Sequence, residues 1–154
     1  MEKELLNTFD KELLLKDLCA RLPYNVICQV EFKENGKYNS KVMLLSGIFT
    51  DEAYFTTKGG SIYSNEYKPY LFPLSSMTEE QEKEIQQIIG NPDYACIIRK
   101  TDGLELWLNF IDTDPTIWLD AIFEVQDYLN KNHFDYRGLI EKGLAIDATN
   151  LNIY

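Results

Sequence analysis

Hydrophobic and polar positions take a helical period near both ends and in the middle of the chain, and a two-residue period in between. The clearest stretch is Pro115 to Asn132. At about 100° per residue, Trp118, Ile122, Val125 and Leu129 share one narrow line of a helix, and Leu119 and Phe123 widen it on one side. Asp120, Glu124, Asp127 and Lys131 fall on the opposite line, so one face is expected to be buried and the other solvated or in contact with a partner. Asp114 is the expected N-cap, with Pro115 at the first helical position, where a missing N–H costs nothing. Past Asn132 the pattern predicts a turn and a second, short helix. Asp135 would cap it, Phe134 would staple to Leu139, and Gly143 would end it in the left-handed region.

Earlier in the chain, a possible first turn over Glu2 to Phe9 precedes a helix over Lys11 to Leu22, with Leu14, Leu15, Leu18, Cys19 and Leu22 as its apolar stripe and Pro23 as its stop. Asn25 to Phe32 then alternates, with Val26, Cys28, Val30 and Phe32 on one side and Gln29 and Glu31 on the other. Asn35-Gly36 is a two-residue hairpin turn, which pairs Val26 with Leu45, Cys28 with Met43, Val30 with Lys41 and Phe32 with Asn39. The base of that hairpin is then core and its tip is wet. A further strand pair is expected at Ile48 to Thr50 and Ala53 to Thr57, and Gly59-Gly60 makes another reversal before Ile62-Tyr63. Tyr67 to Leu74 holds two prolines and reads as an extended edge or connection rather than a central strand. Thr78 with Gln81 forms a capping box, Glu79 and Glu80 occupy the first turn of a helix, Ile85, Ile88 and Ile89 make its buried stripe, and Gly90 and Pro92 close it. Tyr94 to Arg99 and Leu104 to Phe110 flank Asp102-Gly103 as a second hairpin, in which Trp107 pairs with Ile98 and Leu108 with Ile97.

This order of elements predicts an α+β fold: an antiparallel sheet of several strands packed by an N-terminal helix, a middle helix and a long C-terminal amphipathic helix followed by a short one. A chain of 154 residues, 45% hydrophobic, is expected to form a single domain over residues 1 to 154. Cys19, Cys28 and Cys96 are odd in number and lack a C-x-x-C spacing, so they read as buried reduced thiols of a cytoplasmic protein. No signal peptide and no apolar run near the roughly 20 residues of a membrane span is evident. Charge changes the picture more. The formal net charge is −10, and residues from 78 onward hold 15 acids and 6 bases, while residues 1 to 77 hold 10 acids and 9 bases. Such a field repels nucleic-acid phosphates and suits a basic partner, although acidity also serves solubility.

Candidate chemistry is sparse. His133, the single histidine, stands beside Asp135 and Tyr136, a base with an orienting carboxylate, and Arg137 follows. Capping by Asp135 outweighs that reading, because residues two apart around a helix start need not face each other. Asp112 and Asp114 lack the further regularly spaced oxygens of a calcium loop, so capping fits them better. One histidine and three dispersed cysteines offer no zinc pair, and Gly59-Gly60-Ser61 lacks the lysine of a phosphate loop. No cofactor or metal is expected. Tyr54, Phe55, Tyr63, Tyr67, Tyr70 and Phe72, with Lys58 and Lys68 among them, could stack single-stranded bases, but such residues more often pack a sheet. Arg21, Arg99 and Arg137 are expected to anchor carboxylates.

Three blocks stand apart from the rest: LLLKDLCARLPY over 13–24, KPYLFPLSSMTEE over 68–80 and HFDYRGLIEKGL over 133–144. With them the chain resembles a family of small uncharacterised proteins encoded by Bacteroides-type gut bacteria and their phages and prophages. The resemblance implies a cytosolic accessory protein of a mobile element and brings no catalytic residue with it. The expected function is a non-enzymatic acidic protein that engages a basic surface of another protein through Asp120, Glu124 and Asp127. The alternative is a small enzyme with a site around His133, Tyr136 and Arg137.

Overall fold

The computed structural model describes residues 8–49, 52–90, 95–100, 103–108 and 115–154, with side chains for all of these except those within 95–118. It is an α+β structure whose sheet is mostly antiparallel. Its contacts divide the chain into two units, residues 1–71 with 137–154, and residues 72–136.

The first unit begins with helix α1, Thr8–Arg21, followed by a 3-10 turn at Leu22–Tyr24 that carries Pro23 in its first turn. Strands β1 (Ile27–Glu34), β2 (Lys37–Ile48), β3 (Ala53–Thr57), β4 (Gly60–Ser64) and β5 (Glu66–Pro73) follow. They lie in the antiparallel order β4-β3-β2-β1-β5. The β1–β2 register is the one that Asn35-Gly36 dictates: Cys28 faces Met43, Val30 faces Lys41 and Phe32 faces Asn39. Both turn residues have positive φ, 51° and 79°, the twist that lets a two-residue turn join right-handed strands. Val26, Cys28, Met43 and Leu45 at its base are buried, while Lys33 to Val42 around its tip are exposed. A bulge between Leu45 and Gly47 bends β2, and the buried Ser64 at the end of β4 donates from Oγ to the Glu31 carbonyl of β1 at 2.7 Å. The sheet is therefore strongly curled. Leu14 and Leu18 of α1 join Val26, Cys28, Val30, Met43, Leu45, Ala53, Phe55 and Leu71 in its core.

The stripe of α1 is turned from the expected one. Leu14, Asp17, Leu18 and Arg21 are buried, whereas Leu15 and Cys19 are exposed. The cause is an ion pair at the sequence spacing of one turn, which occupies the buried side and leaves Leu15 and Cys19 more than about 100° from its centre. Cys28 is buried as expected, and the Cys96 side chain lies outside the described residues, as does residue 2–7 of the expected first turn.

The Pro-rich stretch is also not an edge. β5 pairs with β1 along one side, Cys28 facing Pro69, and with β9 (Ile146–Asp147) in parallel along the other, Tyr70 facing Ile146. At Pro69 only β1 flanks the strand among the described residues, so the missing N–H is tolerated although the strand as a whole is interior. The chain after Arg137 supplies Leu139, Leu144 and Ala145 to the same core. It forms a single turn, not the expected helix. The Gly143 N–H meets the Ile140 carbonyl at 3.0 Å and the Leu144 N–H meets the Leu139 carbonyl at 2.8 Å, with Gly143 at φ 69°. That pairing is a Schellman motif, so the left-handed stop is present although the helix before it is not.

In the second unit, Phe72 and Pro73 at the end of β5 pair in parallel with β8, Phe134–Asp135. Helix α2, Glu79–Ile89, opens with the expected capping box, the Gln81 N–H on Thr78 Oγ1 at 3.3 Å and the Thr78 N–H on Gln81 Oε1 at 2.9 Å. Ile85 is its most buried residue, with Ile88 and Ile89 packed beside it. Strands β6 (Ala95–Lys100) and β7 (Gly103–Leu108) form the second hairpin, but Trp107 faces Cys96 and not Ile98. Gly103 belongs to the strand, facing Lys100, which moves every partner by two residues and keeps each on its expected face. Helix α3 is Pro115–Lys131. Val125, with Leu129 and Tyr128 beside it, packs with Met77, Ile85 and Phe134. Leu119 and Phe123 do not widen that stripe. Phe123 lies about 130° from the mean direction of Ile122, Val125 and Leu129 at 100° per residue, and both side chains are exposed. Asp114 and the side chain of Trp118 lie outside the described residues.

Candidate functional site

The expected short helix at Asp135 is replaced by a strand, and this changes the setting of every residue of the candidate acid–base group. α3 ends at Lys131, and His133 takes the left-handed conformation, φ 59°, that usually falls to glycine or asparagine at this place. Its N–H meets the Asn130 carbonyl at 3.1 Å, and its own carbonyl accepts from the Phe72 N–H at 2.9 Å. His133 is thus the residue on which the chain reverses out of the helix and enters β8. Phe134 is then drawn into the core against the ring of Phe72, at 6.4 Å between centroids. Asp135, expected as a helix cap, lies in that strand opposite Pro73 and is 8% exposed, as is His133.

Tyr136 is held by the helix it follows. Its hydroxyl accepts from Gln126 Nε2 at 3.1 Å and donates to Asn130 Oδ1 at 3.1 Å, and Asn130 is itself buried. That phenolic proton is committed to a structural amide, which suits a fastening between α3 and the residues after β8 better than a general acid. Arg137 belongs to the first unit, where its Nε stands 3.4 Å from Asp17 Oδ1. The same carboxylate receives Arg21 Nε at 2.6 Å and Nη2 at 3.0 Å, a bidentate contact in which both partners are wholly buried. Arg21 and Arg137 both anchor on a carboxylate, and the Arg99 side chain lies outside the described residues. Asp17 was not singled out by sequence reasoning. The signal was its i, i+4 spacing to Arg21, which on a helix of ordinary exposure marks a surface pair.

The acidic line of α3 is where the pattern places it. Asp120, Glu124 and Asp127 are exposed, with Lys131 at its end. Beside it stand Leu119 and Phe123, 53% and 59% exposed. Across the helix, the Tyr128 hydroxyl donates to Glu84 Oε2 of α2 at 2.6 Å; burial first, and then this carboxylate, push its ionisation well above the ordinary range. The charge imbalance follows the division of the fold. Residues 72–136 carry 13 acids and 4 bases, net −9, whereas 1–71 with 137–154 carry 12 acids and 11 bases, net −1.

The aromatic residues weighed as a stacking platform separate onto the two faces of the curled sheet. Phe55 and Tyr67 pair inside it, ring centroids 5.1 Å apart, while Tyr54 and Tyr63 pair on the outer face at 4.8 Å. Among the described residues no group of three His, Cys, Asp or Glu side chains is placed to hold a metal ion, and no helix is long and apolar enough to cross a membrane. Asp112 and Asp114 lie outside the described residues. No family model, curated protein or solved structure matches the chain.

Proposed function

We propose that this protein is a non-enzymatic interaction protein whose acidic second unit engages a basic surface of another protein, with Asp120, Glu124 and Asp127 of α3 as the contact line. In keeping with the resemblance of its three blocks, it acts in the bacterial cytoplasm as an accessory protein of a phage or related mobile element. The observation that carries the reading is the concentration of net −9 in residues 72–136, against −1 in the rest of the chain. Solubility alone asks for no such partition, since charge anywhere on the surface serves it. Like charges at i, i+4 and i, i+3 on one helix line also repel by a few tenths of a kcal/mol per pair, a cost that a bound basic surface removes.

Replacing Asp120, Glu124 and Asp127 together by lysine tests it. The parent is expected to capture a defined protein from host lysate at low salt and release it at high salt, because contacts of this kind act on encounter and are screened. The triple variant should keep its thermal melt, since all three side chains are exposed, and lose that capture. Equal capture by parent and variant would rule the α3 line out.

A further inference from the structure

Leu119 and Phe123 are two large apolar side chains placed one turn apart on the solvated side of α3. A single exposed apolar residue is ordinary on a protein surface. Here two of them form one row, Asp127 continues that row a turn further on, and Asp120 and Glu124 form the neighbouring row. The apolar pair is therefore bordered by the carboxylates of the contact line, none of which has an ion-pair partner among the described residues.

We infer that Leu119 and Phe123 are the apolar anchor of this face and that its occupant is a basic amphipathic segment of another protein, one or two apolar side chains flanked by lysines or arginines. The inference rests on the reading above and narrows it from a basic surface to a segment with apolar residues among its charges. Charge complementarity selects that occupant. A second copy of the chain would set net −9 against net −9, and nucleic acid would set phosphates against the same carboxylates. A wholly hydrophilic polycation would satisfy the carboxylates and leave both apolar side chains in water. An amphipathic basic segment buries the pair and sets its charges against the carboxylates that border it on one side, an arrangement in which a few apolar residues carry most of the binding energy. The charges then set the encounter rate and the anchor sets the residence time.

The full chain would be titrated into two short dye-labelled peptides of equal lysine content, followed by fluorescence anisotropy. One carries leucines at helical spacing between its lysines, and the other has serine in place of every leucine. The parent is expected to bind the Lys/Leu peptide about thirtyfold more tightly than the Lys/Ser peptide, the scale of one hot-spot residue. Leu119→Ser with Phe123→Ser should erase that preference while leaving the Lys/Ser affinity and the thermal melt unchanged. Equal affinity of the parent for both peptides, or a preference that survives the double substitution, overturns the anchor and leaves the acidic face standing. A parent that binds neither peptide overturns both. Loss of the melt in the double variant and in Phe123→Ser alone would show the pair to be core, which also overturns the anchor.

Discussion

Asp17 holds two guanidinium groups while wholly withdrawn from water, and its carboxylate is the point at which α1 and the chain at Arg137 are tied together. Burying such a group is favourable only while its partners remain, so breaking the cluster from the acidic side is costly. Asp17→Asn is expected to lower unfolding stability by about 3–5 kcal/mol, read from the urea midpoint, because two arginines then lose their countercharge. Arg137→Met should cost less than Arg21→Met, since Arg137 is 26% exposed and Arg21 not at all. An unchanged midpoint in Asp17→Asn would mean that the cluster contributes nothing. A second residue-level consequence concerns alkaline pH. Burial pushes the Cys28 thiol above its ordinary 9.0, and burial likewise raises the Tyr67, Tyr70, Tyr128 and Tyr154 hydroxyls above their ordinary 10.0. In each case the folded chain holds the proton more tightly than the unfolded one. The contribution of these groups to stability is therefore full at neutral pH, begins to fall as the unfolded thiol ionises around pH 9, and falls faster around 10 and above as the unfolded tyrosines follow. Thermal melts from pH 7 to 11 should show this, and Cys28→Ala should delay the onset by removing its first contributor.

At the scale of elements, what the sequence made legible was whatever local chemistry decides. Asn35-Gly36 set the β1–β2 register because both residues tolerate positive φ, and Thr78 with Gln81 set the start of α2 because each side chain satisfies the other's backbone N–H. Elements whose setting depends on distant partners were read less well. The face of α1 follows a buried ion pair that looks like a surface pair until Arg137 is placed beside it. The short helix expected after Asp135 gave way because Phe134 is buried against Phe72, 62 positions earlier in the chain, and His133 turns the backbone to bring it there. The two prolines of β5 point to an edge or a connection, yet Pro69 falls where a single neighbour flanks the strand among the described residues. For the candidate site, the acidic line of α3 was legible from periodicity alone. The exposure of Leu119 and Phe123 was not, because apolar residues flanking a buried stripe look the same in sequence whether they join it or not.

At the scale of the whole molecule, the core of the first unit is built from two separated pieces of chain. Leu139, Leu144 and Ala145 complete a core begun by α1 and β1 to β5, the Ala148 N–H reaches the Leu71 carbonyl at 2.8 Å, and the Tyr154 hydroxyl donates to the Tyr70 carbonyl at 2.8 Å. Between those pieces lies the entire acidic unit, residues 72–136, contiguous in sequence. During synthesis the first 71 residues must therefore wait for the segment that finishes them, a delay on the order of several seconds at ribosomal speeds, while the acidic unit has all its parts as soon as it emerges. The order of birth and the order of completion are inverted, since contacts close in sequence form sooner than those that span a long loop. In pulse-labelled hydrogen exchange during refolding, the amides of 79–89 and 115–131 are expected to gain protection before those of Leu144, Ala145 and Ala148; the reverse order would show that the outer pieces find each other first. Until residues 137–154 are made, the core of the first unit lacks Leu139, Leu144 and Ala145 while every residue of the acidic unit is already present, so the proposed α3 face is displayed before the core of residues 1–71 is closed.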